Sequence, residues 1–152
     1  MRIIFVADVH LGKLARLVRL LGFDTLYRND FTKKELVSIG HEKDRILLSR
    51  DAQLVKRGLS RYLIVTNEDP MLQLKEIVMQ FSLKEQFLPF SRCIACNGLL
   101  ETASKESVAP LLEKNTRQYY TEFWKCTDCG RIYWKGSHYE RMLKTIEFIT
   151  GF

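Results

Sequence analysis

The chain has 152 residues, 46% of them apolar and 28% charged, and its 24 basic and 18 acidic side chains give a formal net charge of +6. A chain of this length buries roughly 68–70% of its surface on folding, so a hydrophobic core is expected and general disorder is excluded. No apolar run approaches the ~18 residues of a membrane span, and Asp8 falls too early for a signal peptide. We therefore expect a soluble, cytoplasmic protein with no membrane segment. The modest positive charge suits a polyanionic partner but does not by itself indicate one.

Up to about residue 90, short apolar runs alternate with amphipathic stretches, which is typical of a parallel sheet flanked by helices. Strands are predicted at 3–7, 25–27, 45–49 and 62–66. Helices are predicted at 11–21, from 32 onward, at 52–57 and from 70 to about 80. Gly22 ends the first helix, Thr32 and Glu35 have capping-box spacing at the second, and Asp69 with Pro70 begins the last.

The character of the sequence changes after Pro89, because the strand–helix alternation stops and all four cysteines follow. We therefore predict two domains, an α/β domain of residues 1–90 and a second unit of residues 91–152. Within the second unit, residues 101–118 lack clear periodicity and form a loop or a short helix. The tail from Ser137, with Glu140 at capping-box spacing, predicts a closing helix.

The cysteines form two C-x2-C pairs, Cys93 with Cys96 and Cys126 with Cys129. Two such pairs bring four thiolates to the corners of a tetrahedron, which is the ligand set of a structural zinc site. Asn97 and Gly130 follow the pairs, where a tight turn needs a residue that tolerates positive φ. Two disulfides are the alternative, which a reducing cytosol disfavours. The sequence therefore predicts a zinc ribbon with structural Zn²⁺.

Cations and aromatic rings are interleaved in this second unit: Arg92, Trp124, Lys125, Arg131, Tyr133, Trp134 and Lys135. Such a mixture suits contact with nucleic acid through ion pairs and base stacking. It suits equally well a small core of packed rings with solvated charges around it. The sequence leaves both interpretations open.

Acidic side chains follow the four predicted strands, namely Asp8, Asp30, Asp51 and Asp69. Because the carboxyl ends of parallel strands share one edge of a sheet, these acids can gather there. Clustered carboxylates select a hard cation such as Mg²⁺ or Mn²⁺, which supports phosphodiester hydrolysis. Asp8 and Asp51 are the best candidates, because an acid ending a buried strand has no evident structural use. Asp69 and Glu35 also suit helix caps, and Asp30 suits a turn.

Basic side chains on the predicted first helix begin soon after Asp8. Lys13 and Arg16 are neighbours on one face, and Arg19 continues that face. We expect Lys13 and Arg16 to contact substrate phosphates near the metal, although a solvated outer face gives the same pattern. The isolated His10 favours a local hydrogen bond over a catalytic role, and the same holds for His138 at the start of the closing helix.

Three segments carry a family resemblance: D-V-H-L-G-K-L-A-R-L-V-R-L-L-G-F-D-T from Asp8, R-I-L-L-S-R-D ending at Asp51, and the cysteine segments R-C-I-A-C-N-G-L-L and C-T-D-C-G-R-I-Y-W-K-G-S-H. In this order they resemble the Mut-seven C-terminal RNase family, a PIN-like nuclease domain fused to a zinc ribbon. The resemblance covers nearly the whole chain. It implies a PIN-like α/β fold and a metal-dependent RNase whose acids match Asp8 and Asp51, with zinc on the four cysteines.

The chain departs from that family at its second helix, where relatives commonly place an acid and this sequence reads T-K-K-E from Thr32 to Glu35. The third carboxylate ligand is therefore open between Asp30, Glu35 and Asp69.

Three functions follow as hypotheses. The first is a Mg²⁺- or Mn²⁺-dependent endoribonuclease with Asp8, Asp30 and Asp51 as catalytic acids and a zinc ribbon that aids RNA binding. The second is an inactive RNA-binding module in RNA maturation or translation, which the missing acid near Lys33 favours. The third is a phospho-acceptor receiver domain, disfavoured because a single acid follows the first strand.

Overall fold

The structure, a computed structural model, describes residues 2–59 and 61–151. Its first sheet has four parallel strands in the order β2-β1-β3-β4. The strands are β1 (Phe5–Ala7), β2 (Thr25–Leu26), β3 (Ile46–Ser49) and β4 (Tyr62–Ile64). Helices flank this sheet, so the predicted α/β class is confirmed. Each strand is shorter than the apolar run that predicted it.

Three helices connect and cover these strands: α1 (Gly12–Leu20), α2 (Lys33–Glu42) and α3 (Pro70–Gln80). A 3-10 helix, Ala52–Arg57, stands where a helix was expected after β3. Successive strand residues face opposite sides, so Phe5 packs in the core under α1 and α3 while Val6 packs under α2. Both faces of the sheet are thus buried, which explains why the strands read as continuous apolar runs.

The helix boundaries follow the local signals in the sequence. Thr32 Oγ1 accepts from Glu35 N at 3.1 Å, and Glu35 Oε1 accepts from Thr32 N at 3.3 Å, which completes the predicted capping box of α2. Asp69 Oδ1 accepts from the first backbone N–H groups of α3, as predicted. Gly22 has φ of 95° and follows the end of α1, a conformation that glycine adopts at little cost.

The second sheet is antiparallel, with order β5-β6-β7. Its strands are β5 (Leu100–Ala103), β6 (Phe123–Cys126) and β7 (Ile132–Tyr133), and its helices are α4 (Lys105–Val108), α5 (Lys114–Tyr119) and α6 (Ser137–Thr150). The aperiodic segment 101–118 thus holds most of a strand and two short helices. The capping box expected for α6 is wrong, because Gly136 is the N-cap and Ser137 already lies inside the helix.

Helix α6 returns to the first sheet, where it packs against α3. Ile149 is 1% exposed and belongs to the core of Phe5 and α1, and Ile146 packs at the margin of that core. The last turns of α6 therefore share a core with side chains of β1 and α1. None of the helices in the described ranges is long and apolar enough to cross a membrane.

A buried arginine joins the first cysteine pair to α1. Arg19 is 5% exposed and donates to the carbonyl oxygens of Thr25, Ile94 and Ala95 at 3.0, 3.1 and 3.2 Å. The expectation that Arg19 continues the outer basic face of α1 is wrong. Its charge is used to satisfy three carbonyl groups, two of which belong to the turn between Cys93 and Cys96.

A second connection runs through Asn97, which has φ of 76°. Its amide donates to Asp24 Oδ1 at 2.7 Å and accepts from Thr25 N at 2.9 Å. Arg45 donates to both oxygens of Asp24, at 2.7 and 3.1 Å. Burial by itself raises the pKa of Asp24, but the hydrogen bonds from Arg45 and Asn97 bring it below its usual value.

Candidate metal and nucleic-acid site

The first sheet has one topological switch point, which lies between β1 and β3. The chain leaves β1 for β2 on one side and later returns to β3 on the other. In open parallel sheets, ligands bind at such a crevice, beyond the carboxyl ends of the two strands. Asp8 directly follows β1, and Asp51 lies two residues beyond β3, so both flank this crevice.

Ser49, the last residue of β3, contacts both acids. Its hydroxyl donates to Asp8 Oδ2 at 2.7 Å and accepts from the backbone N–H of Asp51 at 2.9 Å. The structure therefore brings Asp8 and Asp51 to the same side chain. Sequence reasoning missed Ser49, although a serine closing an otherwise apolar run and standing two residues before an acid was a usable signal.

The Asp8 carboxylate is buried without a counter-charge. It is 8% exposed, and its other oxygen accepts from Val9 N at 2.7 Å. Among the side chains that the structure describes, those of residues 2–54, 58–59 and 61–151, no lysine, arginine or histidine nitrogen forms an ion pair with it. A buried carboxylate is costly unless a cation or several donors compensate it. The oxygen donors of Asp8 and Asp51 fit a hard divalent cation.

Asp51 does have a basic partner in the structure. Lys33 Nζ lies 2.8 Å from Asp51 Oδ2, and the two side chains are 58% and 30% exposed. Gln53 N donates to the other carboxylate oxygen at 2.9 Å. Lys33 stands in the T-K-K-E segment, where the family resemblance led us to look for an acid. An ammonium group therefore borders the crevice at that place.

The three candidates for a third acid are engaged elsewhere. Asp30 pairs with Arg28 at 2.9 Å and is 62% exposed. Glu35 completes the cap of α2, and Asp69 caps α3. Apart from the cysteines, the described part of the chain brings no three His, Cys, Asp or Glu ligand atoms within 4.8 Å of one another.

A cavity of about 440 Å³ opens along the residues that directly follow Asp8 in the chain, from Val9 to Leu14, and neither Asp8 nor Asp51 is among its lining residues. His10, Lys13, Tyr27 and Glu68 contribute to its lining, and Tyr27 OH donates to Val9 O at 2.8 Å. Sequence reasoning chose Asp69 from the N-E-D segment, whereas the preceding Glu68 is the acid that faces this cavity. An acidic side chain suits both a helix cap and the lining of a cavity. Only the fold therefore shows which of Glu68 and Asp69 has which role.

We call the four-cysteine unit of residues 91–152 the ribbon. A second cavity, of about 380 Å³, lies between α1 and this ribbon. We call it the α1–ribbon cleft; its lining includes Arg16, Ile94, Arg131, Tyr133, Trp134 and His138. The two predicted substrate-binding cations are thus divided: Lys13 faces the cavity beside Asp8, and Arg16 faces the cleft.

The four cysteine sulfur atoms lie within 4.8 Å of one another. Cys93 Sγ is 3.7 Å from Cys129 Sγ, and Cys96 Sγ is 3.4 Å from Cys126 Sγ. Zn–S bonds of ~2.3 Å in a tetrahedron place thiolates about 3.8 Å apart, so the cluster fits zinc. All four cysteines are free, which excludes the two disulfides considered from the sequence.

The surroundings of the cluster favour thiolates. Backbone N–H groups of Gly98, Asp128 and Cys129 donate to cysteine sulfur atoms at 3.4 to 3.5 Å. Burial raises the pKa of Cys93, but the Tyr133 hydroxyl at 2.9 Å and backbone donors lower it to about 7. Burial and hydrogen bonds with the other thiols raise the pKa of Cys96 to about 12. Four adjacent thiols cannot all ionise without a cation, which zinc supplies.

The remaining ribbon cations and rings divide between packing and exposure. Arg92 donates to Asn97 O at 2.7 Å and so supports the turn that carries Cys93 and Cys96. Trp124 packs edge-on against Phe90 with ring centroids 4.4 Å apart, and Lys135 lies over the Trp124 ring at 6.0 Å. Arg131 and Trp134, in contrast, line the α1–ribbon cleft. The packing interpretation therefore holds for Trp124, whereas nucleic-acid contact by Arg131 and Trp134 stays a prediction.

The fold and the cysteine cluster define an α/β protein with a parallel sheet and a four-cysteine site compatible with zinc. Residues 3–146 match the family model of the Mut7-C RNAse domain. The chain belongs to that family, which confirms the resemblance seen in its motifs and supports ribonuclease activity on an RNA substrate. Searches of curated proteins and of solved structures found no match.

Proposed function

We propose that the protein is a Mg²⁺- or Mn²⁺-dependent ribonuclease whose metal is held by Asp8 and Asp51. The observation that carries this proposal is the buried Asp8 carboxylate, which shares Ser49 with Asp51 at the switch point and has no ion pair among the side chains that the structure describes. The fold places both acids on adjacent strand ends. A divalent cation there balances the buried charge with oxygen ligands, which it prefers.

The bound metal would supply an activated water and neutralise charge on the phosphodiester. The side chains of the protein orient the carboxylate that would hold the metal and offer positive charge to the phosphates of the substrate. Ser49 fixes the Asp8 carboxylate by a hydrogen bond at 2.7 Å, and Lys13 faces the adjacent cavity where it can pair with a substrate phosphate. Arg16 holds the RNA further along α1, in the α1–ribbon cleft.

For the third acid we propose Asp30, which would exchange Arg28 for the metal or for a metal-bound water. Its present ion pair with Arg28 is exposed and screened by solvent, so the pair is weak and easily exchanged. Glu68 is the competing candidate because it lines the cavity next to Asp8. The Mn²⁺ affinities of Asp30→Asn and Glu68→Gln distinguish the two candidates. Substitution of the residue that binds the metal weakens Mn²⁺ binding, and substitution of the other residue does not.

We propose that cleavage is endonucleolytic, because contacts on α1 extend away from the acids and so hold RNA beyond the scissile bond. The zinc ribbon serves this binding, and the free thiols suit the reducing cytoplasm. A circular single-stranded RNA has no ends, so linearisation of that substrate demonstrates internal cleavage. A linear RNA degraded while the circle persists would show an exonuclease.

The decisive experiment compares Asp8→Asn with Asp44→Asn. Asp44 precedes β3, at the opposite end of the strand from Asp51, and is 71% exposed beside Arg61. The same chemical change therefore removes a proposed metal ligand in one variant and a surface charge in the other. We expect wild-type and Asp44→Asn protein to cleave RNA when Mn²⁺ is added, and Asp8→Asn to lose cleavage and Mn²⁺ binding together.

The Lys33–Asp51 ion pair is the one feature that bears on an inactive RNA-binding module, because an ammonium group already occupies one oxygen of Asp51. Salt-sensitive RNA binding without Mn²⁺ binding, in wild-type protein, would replace the nuclease proposal with that module. Equal cleavage by wild type and Asp8→Asn would identify a contaminating nuclease.

A further inference from the structure

The α1–ribbon cleft combines features that a nucleotide requires. Its volume of about 380 Å³ falls in the range of ligand pockets, and it holds two guanidinium groups, an imidazole and aromatic rings. None of the described residues that line it is acidic. The cleft therefore offers positive charge for phosphate and ring faces for a base.

The two arginines of the cleft are not used by the fold. In the described part of the chain, neither Arg16 nor Arg131 makes a side-chain hydrogen bond or an ion pair, and both are exposed. Arg19, one turn along α1, is buried against carbonyl oxygens instead. The helix thus separates a structural arginine from one that is available to a ligand.

Part of the Trp134 ring is accessible from the cleft. Its ring touches Tyr120 and Phe123 at centroid distances of 6.4 and 6.5 Å, which fixes the indole from the ribbon side. It is only half-buried. A Cβ at Gly136 would lie 2.8 Å from the indole nitrogen, so glycine there leaves room at that edge of the ring. The neighbouring Tyr133, in contrast, has its hydroxyl committed to Cys93 Sγ.

The position of the cleft relates it to the metal site. Lys13 and Arg16 are three residues apart on α1, so their Cβ atoms lie about 5–6 Å apart on one helix face. Lys13 faces the cavity beside Asp8, and Arg16 faces the cleft. A strand that meets Lys13 near the acids can therefore meet Arg16 with a neighbouring phosphate.

We propose that the α1–ribbon cleft binds one nucleotide of a single-stranded RNA, with its phosphate on Arg16 and Arg131 and its base on Trp134. The nature of the ligand rests on the proposed function, whereas the cleft itself rests on the contacts above. An unpaired strand is required because a base inside a duplex is not free to stack on a side chain. The ribbon thereby becomes part of substrate selection, for unpaired over paired RNA.

Binding of a fluorescein-labelled oligouridylate of about ten nucleotides tests this, measured by anisotropy without added Mg²⁺ or Mn²⁺ over a series of salt concentrations. Arg16→Ala and Arg131→Ala should each weaken binding about tenfold and reduce the salt slope by about 0.7, one phosphate contact of a single strand. Arg117→Ala, an exposed arginine on α5, should change neither quantity.

Tryptophan fluorescence gives an independent readout of stacking. The chain has two tryptophans, so Trp124→Phe leaves Trp134 as the only one and keeps an aromatic ring against Phe90. The oligouridylate should quench that fluorescence saturably, and the same sequence annealed to its complement should not.

Unchanged affinity in both cleft variants, losses as large in Arg117→Ala, or an unquenched Trp134 would each overturn the assignment. Mn²⁺-dependent cleavage by the wild-type protein is scored separately. Binding with the expected signatures but without cleavage would therefore refute the proposed nuclease and leave the cleft as an RNA site.

Discussion

Replacing Lys33 by methionine tests the proposed metal site without removing a ligand. Lys33 Nζ occupies Asp51 Oδ2 at 2.8 Å, so a divalent cation that uses this oxygen must displace the ammonium group. Methionine keeps an unbranched side chain, one heavy atom shorter than lysine, and the helix propensity at the start of α2, but it removes the charge. We therefore expect Lys33→Met to bind Mn²⁺ more tightly than the wild type.

The size of the effect follows from the exposure of the pair. Side chains that are 58% and 30% exposed form an ion pair worth about 0.2–1 kcal/mol. After displacement, the ammonium group still repels a divalent ion several ångströms away by about 1 kcal/mol under water-like screening. Because the lysine can swing into solvent, part of this repulsion is relieved. A total of about 0.5–1.5 kcal/mol corresponds to a two- to tenfold lower Kd for Mn²⁺.

The assay is a Mn²⁺ titration at fixed ionic strength, with free Mn²⁺ quantified by electron paramagnetic resonance. Lys34→Met is the matched control, because Lys34 is the exposed neighbour and has no ion pair within the described residues. Its Kd should stay at the wild-type value. Equal tightening in both variants would show a general charge effect, and weaker binding in Lys33→Met would refute the competition between lysine and metal.

Three further predictions concern the supports of the site. Ser49→Ala leaves Asp8 Oδ2 and the Asp51 N–H without their partner, so we expect a loss of about 1–3 kcal/mol in stability and about a tenfold slower single-turnover cleavage; Ser38→Ala, on the outside of α2, should show neither loss. Asp24→Asn removes charge-assisted hydrogen bonds from Arg45 and should lower Tm by about 4–8 °C, from about 2 kcal/mol. Because the pKa of Asp24 is lowered from 3.8 on folding, its contribution is complete above that pH and disappears as pH falls through the folded value, so the Tm curves of wild type and variant should converge in acid; a constant difference at all pH values would contradict the assignment. Prolonged treatment with a zinc chelator should release one zinc per chain by elemental analysis and lower Tm, and an unchanged Tm after metal loss would remove zinc from the structural account.

Local rules account for the parts of the fold that the sequence predicted. The cap at Thr32 and Glu35, the cap at Asp69 and the turn residues Asn97 and Gly130 each depend on a few consecutive residues. Their backbone conformations therefore agree with expectation. The parallel sheet was predictable from apolar runs that alternate with amphipathic stretches. Strands that are buried on both faces carry apolar side chains on both faces and so appear as continuous apolar runs.

Tertiary contacts explain the parts that the sequence did not predict. Arg19 has the spacing of an outer cation, yet three carbonyl groups from separate segments draw it inside. Ser49 becomes important only because Asp8 and Asp51 meet beside it. Ser137 matched a capping pattern, but helix α6 starts one residue earlier than that pattern requires. For Arg19 and Ser49, the contacts that set the role of the side chain come from residues distant along the chain. For Ser137, the neighbouring Gly136 takes the N-cap position instead.

The return of α6 to the first sheet limits how this molecule can be dissected. A fragment that stops at residue 90 would keep the strands and both acids but lose Ile146 and Ile149 from its core. It would also leave Arg19 with a buried charge and without the carbonyl groups of Ile94 and Ala95. The ribbon therefore contributes to the stability of the first sheet. A deletion of the ribbon, intended to test RNA affinity alone, would also disturb the core that supports Asp8 and Asp51.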